Sequence, residues 1–154
     1  MIVVSNASPL ISLGSVGRIE LLHQLFGEIS IPRAVLDEVK SVKVPTEGWV
    51  VPRNVENAPL FRELEGVLDP GEAEAIALAV ELRADLLLMD ERRGRRIAEK
   101  HGLQMIGTLG LLIEAKGLGL IENVEQVIRE LHRTAGFRVS QALFQRVLEE
   151  AGEA

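Results

Sequence analysis

Cysteine and tyrosine are absent from this 154-residue chain, and aromatic residues make up only 3% of it. Without cysteine the protein has no disulfide, no thiolate metal ligand and no cysteine nucleophile. Exposed Phe, Tyr or Trp side chains are the usual stacking platforms for single-stranded bases, so a binding mode that depends on them is disfavoured. The core must be built from Leu, Ile, Val and Ala, which favours helices packed on an aliphatic sheet.

Long apolar runs are also missing: no stretch reaches the roughly 18 residues that a membrane-spanning helix requires. The N-terminus has no basic segment followed by an apolar one, so we expect no signal peptide. Together with the missing cysteine, these features predict a cytoplasmic protein with no membrane partner. The length fits one domain with a single sizeable core.

The net charge of −6 argues against an ordinary nucleic-acid-binding surface. The charges are segregated, however: residues 56–74 hold six acids and one Arg, whereas residues 92–100 hold five bases and one Glu. An acidic centre beside a basic segment is what a metal-dependent phosphodiesterase requires. Two solvated helix faces of opposite sign would give the same pattern.

Short aliphatic runs alternate with amphipathic segments along the chain. Strands are predicted at residues 2–5, 28–32, 84–90 and 103–107, with helices between and after them, and residues 44–55 are a connection that could carry a short extended piece at 49–51. This alternation predicts an α/β fold, a central parallel sheet flanked by helices, in a single domain of residues 1–154. The last two helices, about 122–151, would form a C-terminal extension of that domain.

Three local features refine the helix predictions. In DPGEAEAIALAVEL, Asp69 caps the helix, Pro70 takes its first position and Glu72 completes a capping box. Pro32 is predicted to open the helix PRAVLDEVKS, because proline suits a first helical position. In APLFRELEGVL, the spacing predicts that Leu60, Leu64 and Val67 face inward.

Four polar residues lie where a parallel sheet would hold a ligand. Asn6 and Asp90 each follow a predicted strand, so both should lie at the carboxyl edge of the sheet, where ligands bind in such folds. Glu38 and Glu74 lie on predicted helices. Crowded carboxylates are costly to bury unless a cation compensates, and oxygen-only ligands suit Mg²⁺ or Mn²⁺ rather than zinc. Such an ion binds phosphate and lowers the pKa of a water.

Each of these residues also has an ordinary structural explanation. Glu38 could be a solvated helix residue beside Asp37, Glu72 is explained as a cap, and Asp90 could cap the helix that follows it. Glu74 is harder to explain in this way, because EAIALAV is otherwise almost wholly apolar. At about 100° per residue, Glu72 and Glu74 point roughly 160° apart, so both should not bind one ion directly.

Six stretches occur in order along nearly the whole chain: VVSNASPLI, IPRAVLDEV, LDPGEAEAIALA, LLLMDERRGRRIAEKHGL, IGTLGLLIEAKGLGLI and FRVSQALFQRVLEEAGE. Their order and the elements between them make the chain resemble a PIN domain of the toxin-like (VapC-type) branch. The resemblance implies a parallel sheet flanked by helices and a divalent-metal endoribonuclease. It also implies a cognate antitoxin and a homodimer as partners, and RNA as the substrate.

By motif position, the resemblance puts the acidic metal ligands of the family on Asn6, Glu38, Glu74 and Asp90. Ser8 matches a small hydroxyl residue after the first ligand, and Thr108 lies where a polar residue faces the site. Glu72 is given a supporting place beside them. The phosphate-binding residues are expected to be those of the basic helix: Arg92, Arg93, Arg95 and Arg96.

Asn6 departs from the acidic pattern of the family. Its amide oxygen can coordinate a hard ion but brings no negative charge, so we expect a weaker metal site. On this reasoning Asn6→Asp would raise metal affinity and destabilise the metal-free protein. Two other functions remain open: a weakly catalytic PIN-like module that binds RNA or a protein, and an unrelated α/β metal phosphatase that hydrolyses monoesters.

Overall fold

The computed structural model describes all residues, 1–154, and contains one five-stranded sheet in the order β3-β2-β1-β4-β5. The strands are β1 (Val3–Ser5), β2 (Ile29–Pro32), β3 (Val50–Arg53), β4 (Leu86–Leu88) and β5 (Met105–Ile106). Every neighbouring pair is parallel, so the predicted α/β class is confirmed. The chain builds outward from β1 through β3 and then returns to β4, which puts the switch in strand order between β1 and β4.

Nine α-helices flank the sheet, and a short 3₁₀ turn at Val39–Ser41 follows the third. The helices are α1 (Ala7–Ser15), α2 (Glu20–Phe26), α3 (Arg33–Glu38), α4 (Ala58–Glu65), α5 (Pro70–Leu82), α6 (Arg92–Lys100), α7 (Thr108–Gly117), α8 (Val124–Ala135) and α9 (Gln141–Glu150). None of them has both the length and the apolar character needed to cross a bilayer.

Both faces of the sheet are covered, and neighbouring residues of a strand enter different cores. Val3 and Leu88 belong to a first core shared with α1, α7 and α8, whereas Val4 and Leu87 belong to a second core shared with α4, α5 and α6. This alternation is the two-residue period of a strand. Burial on both faces explains why the β4 segment is a continuous apolar run.

The central helix α5 begins as the sequence predicts. Asp69 Oδ1 accepts a hydrogen bond from the Glu72 N–H at 2.9 Å, and Glu72 Oε2 accepts one from the Asp69 N–H at 3.2 Å. These reciprocal bonds satisfy two backbone donors at the helix start. The predicted capping box is confirmed, and it anchors the start of a helix that is buried along most of its length.

Two local predictions are wrong. Pro32 is the last residue of β2, paired with Arg53, and its ψ of 164° is extended, so α3 begins at Arg33 instead. Val67 is 47% exposed, because α4 ends at Glu65 and the inward spacing of a helix no longer applies beyond that point.

The C-terminal helices share the first core, and the end of the chain is tied to them through Glu153. Its carboxylate accepts hydrogen bonds from Lys116 Nζ at 2.9 Å and from the N–H groups of Val124 and Glu125 at 2.6 and 2.9 Å. Burial by itself would raise the pKa of Glu153, but these donors outweigh it and lower the pKa. One side chain therefore caps α8 and links it to α7.

We predict that Glu153→Gln lowers the free energy of unfolding by about 1–2 kcal/mol near neutral pH, because the charge-assisted bonds are lost. Since the folded pKa is depressed, this contribution is present above the ordinary value of 4.5 and is lost as pH falls through the lower folded pKa. Urea denaturation at several pH values measures it. Glu149→Gln, on the exposed surface of α9, is the control. A pH-independent difference would contradict this role.

Candidate active site

Polar residues follow three neighbouring strands at the carboxyl edge of the sheet. Asn6 follows β1, and its backbone N–H continues the strand pairing by donating to Leu88 O at 2.9 Å. Asp90 lies two residues beyond β4, and Thr108 lies two residues beyond β5. The predicted shared edge of Asn6 and Asp90 is thus observed, at the switch between β1 and β4.

Asn6 is buried, with 2% of its surface exposed, and is joined to a residue not assigned from the sequence. Its Nδ2 donates to Glu91 Oε2 at 2.9 Å, and Ser8 Oγ donates to Glu91 Oε1. Asn6 Oδ1 is buried without any hydrogen-bond partner. An unsatisfied buried acceptor costs about 1–3 kcal/mol, so this oxygen is where a bound cation or donor would be stabilised.

Asp90 is held by the start of α7. Its Oδ1 accepts from the Thr108 N–H and its Oδ2 from Thr108 Oγ1, both at 2.7 Å. Thr108 is fully buried, so both carboxylate oxygens are bound to a partner that solvent does not reach. The alternative that Asp90 caps the next helix is wrong, because Glu91 occupies the cap position of α6 and makes no capping bond there.

Glu38 and Glu74 lie on helices α3 and α5, which pack together. Glu74 Oε1 accepts from the Ala34 N–H in the first turn of α3 at 3.3 Å. The carboxylate of Glu38 lies against the start of α5, so closely that a Cβ atom on Gly71 would clash with Glu38 Oε1. Glycine at position 71 therefore makes room for a carboxylate at a helix N-terminus, where negative charge is favoured.

The pKa values of three carboxyl groups are raised, and burial is the largest cause for each. For Glu38, the negative charges of Asp69, Glu91 and Glu74 add to the effect of burial on the pKa. For Asp90, the hydrogen bonds from Thr108 oppose the rise in pKa, Glu91 adds to it, and Arg95 opposes it. The pKa of Glu38 thus responds to the charges of Asp69, Glu91 and Glu74, and that of Asp90 to the charges of Glu91 and Arg95.

Glu72 combines its capping role with a place near this group. It is 8% exposed, and burial raises its pKa, with Asp69 acting in both directions and Glu91 adding to the rise. Its Oε1 lies 3.7 Å from the position of a Cβ atom on Gly94 in α6. Glu72 therefore lies beside α6, while Glu74 faces α3, as their angular separation predicts.

The four arginines of the basic helix do not form one surface. Arg92, Arg93 and Arg96 are exposed and form no ion pair. Arg95 is half-buried, donates to Met89 O at 3.4 Å, and lies close enough to Asp90 to offset part of the rise in its pKa. A Cβ atom on Gly107 would lie 2.8 Å from Asp90 Oδ1 and 2.9 Å from Arg95 Nη1. Arg95 therefore points into the edge of the sheet.

Glu91 lies outside the motif positions, but the alternation of the strands marks it. The backbone is extended at both Asn6 and Glu91, so the two-residue alternation continues past the strand ends. Asn6 follows the parity of Val4, and Glu91 follows that of Leu87, both in the second core. Asp90 has the opposite parity, which directs it toward α7.

The side-chain atoms available as metal ligands in this region are oxygens, the ligand type that hard divalent cations such as Mg²⁺ and Mn²⁺ prefer. Three observations fit such an ion: the unpartnered amide oxygen of Asn6, the raised pKa values of partly desolvated carboxyls, and the absence of a compensating lysine or arginine at Glu38. No three acidic or histidine side chains are arranged to hold an ion directly. The site therefore fits the ion in composition, and its side chains would have to draw together to bind it.

The structure defines an α/β protein with a parallel sheet and with acidic residues at the switch point, which is where such folds bind ligands. A family model for the PIN domain matches residues 2–153, and the chain belongs to the PIN domain family. PIN domains are in general metal-dependent nucleases. Comparison with curated proteins and with solved structures gave no match.

We predict that Glu38→Gln stabilises the metal-free protein at neutral pH. The pKa of Glu38 in the folded protein is raised above its ordinary value of 4.5. At pH values above this folded pKa, the ionised carboxylate therefore lowers the free energy of unfolding. This penalty disappears as pH falls through the folded pKa toward 4.5, because the group is then protonated. Since much of the side chain is exposed, the gain is at most about 1 kcal/mol, or roughly 2–4 °C in melting temperature.

Melting in chelator from pH 7.5 to pH 4 measures this effect, with Glu65→Gln on the exposed side of α4 as the control. A gain that persists unchanged at pH 4 would show that Glu38 is not under electrostatic strain.

Proposed function

We propose that the protein is an endoribonuclease that requires Mg²⁺ or Mn²⁺, with its active site at the carboxyl edge between β1 and β4. The unpartnered oxygen of Asn6 carries this proposal, because it is a buried acceptor beside ionisable carboxylates at the place where an α/β sheet binds ligands. Membership in the PIN family supports it.

Asn6, Glu38, Glu74 and Asp90 would hold the cation. The chemistry that a bound divalent ion supplies is to bind phosphate oxygens and to lower the pKa of an attacking water. Thr108 orients Asp90 through two hydrogen bonds, which also oppose the rise in its pKa that burial causes, and Ser8 supports the neighbouring carboxylate of Glu91.

RNA phosphates would be held by Arg92, Arg93 and Arg96, whose guanidinium groups are exposed on α6 beside the same edge. The rest of the surface is acidic on balance, so binding would concentrate at this helix and depend strongly on salt. Arg95 is assigned a different role, because it lies beside Asp90 and offsets part of the negative charge there.

The toxin-like resemblance extends the proposal to a cytoplasmic toxin that forms a homodimer and is restrained by an antitoxin. Leu118, at the end of α7, is 65% exposed and offers an apolar point for such association.

A second candidate is a PIN-like module that binds RNA or a protein with little catalysis. The neutral Asn6 and the lack of an assembled group of metal-holding side chains favour it.

We predict that a capped, end-labelled RNA is cleaved internally with Mn²⁺ or Mg²⁺ and is not cleaved in chelator. Glu74→Gln and Asp90→Asn should each reduce the rate by about 100-fold or more, because they remove charge and preserve shape. Glu65→Gln is the matched control. Cleavage that persists in chelator would refute the proposal that the protein is a metal-dependent nuclease. RNA binding without cleavage supports the binding module, and release of phosphate from a monoester alone supports a phosphatase.

A second prediction concerns the basic helix. Replacing Arg92, Arg93 and Arg96 together with Gln should weaken binding of single-stranded RNA and reduce the slope of log affinity against log salt by about two. A matched triple of exposed residues, Arg133, Arg138 and Arg146, also changed to Gln, removes the same charge elsewhere. Equal losses in the two triple variants would mean that only net charge matters and that α6 is not the RNA-binding surface.

A further inference from the structure

We propose that Glu91 supplies the carboxylate that Asn6 lacks, so that the negative charge expected at the end of β1 is provided from the end of β4. This inference rests on the proposed function, because it assigns a further residue to the same metal site. Glu91 was not among the residues indicated by motif position.

The contacts of Glu91 put its carboxylate beside the Asn6 side chain. One oxygen accepts from Asn6 Nδ2 at 2.9 Å, and the other accepts from Ser8 Oγ. Each oxygen is thus held by a donor from the β1–α1 segment. A carboxylate at position 6 would lie immediately beside the Glu91 carboxylate, so a negative charge from either residue occupies nearly the same place.

The same contact fixes the orientation of the Asn6 amide. Because the carboxylate of Glu91 requires a donor, Nδ2 must face it, and Oδ1 takes the other branch of the same planar amide. Oδ1 is the buried acceptor without a partner. Asn6 therefore presents an oxygen for a cation and at the same time holds the neighbouring charge in place.

Position separates Glu91 from its neighbour Asp90. Both oxygens of Asp90 are held by Thr108 at the start of α7, whereas both oxygens of Glu91 are held by the β1–α1 segment. Glu91 is thus the carboxylate from the end of β4 that lies beside Asn6.

The geometry also revises what is expected of Asn6→Asp. An aspartate there would replace the donor to Glu91 by a second carboxylate oxygen about 2.9 Å away, so like charges would meet without a hydrogen between them. The single variant should be less stable than the wild type in chelator. Adding Glu91→Gln reverses the direction of the hydrogen bond, since the new amide donates to the new carboxylate, and keeps the total charge unchanged.

The test is Mn²⁺ binding by calorimetry and the melting temperature in chelator, measured for the wild type, Glu91→Gln, Asn6→Asp and the double variant. Glu91→Gln should weaken Mn²⁺ binding by about 10–100-fold. The double variant should recover affinity to within about threefold of the wild type, and its melting temperature should exceed that of Asn6→Asp. Glu99→Gln, exposed on the same helix, controls for charge loss and should bind like the wild type.

The outcomes separate this inference from the proposed function. A wild type that binds no Mn²⁺ overturns both. If the wild type binds and Glu91→Gln binds equally well, only the role of Glu91 is overturned. A double variant that binds no better than Glu91→Gln also overturns it. If Glu91→Gln does not fold in chelator, the double variant decides: affinity near that of the wild type supports the exchange of charge, and loss of affinity refutes it.

Discussion

The parallel pairing of β1 with β4 is the constraint on which the site depends. Ser5 lies opposite Leu88, so the residues that leave the two strands emerge side by side. Because the strand order switches at this pair, no crossover helix covers the space between their carboxyl ends. The hydrogen bond from Asn6 to Glu91 spans that space and links segments 85 residues apart in the sequence.

The crowding of carboxylates at this edge of the sheet lowers the stability of the metal-free protein. Helices α3 and α5 bring Glu38 and Glu74 to the same edge, where burial raises the pKa of Glu38 and neighbouring acids raise it further. The rest of the fold offsets this cost through two aliphatic cores and well-capped helices such as α5 and α8. Strain of this kind is typical of binding sites, where a ligand, here a cation, would relieve it.

Periodicity and local chemistry account for what could be predicted. The strands, the capping box of α5 and the shared edge of Asn6 and Asp90 all follow from patterns within a few residues. The errors at Pro32 and Val67 lie at helix boundaries: α3 begins one residue later than predicted and α4 ends three residues earlier, because strand pairing with β3 and the end of α4 are set by tertiary contacts. Arg95 was grouped with its neighbours, although helix geometry turns it toward Asp90.

The sequence by itself determined the α/β class, the positions of the strands and the residue types available to the site, because these depend on short-range periodicity and composition. Tertiary structure decided which carboxylates meet. Asp90 binds Thr108 and adjacent Glu91 binds Asn6, since successive residues of an extended segment point to opposite faces of the sheet. The hydrogen-bond partner that each side chain meets on its face of the sheet belongs to a helix or strand distant in the chain, so local sequence patterns do not predict it.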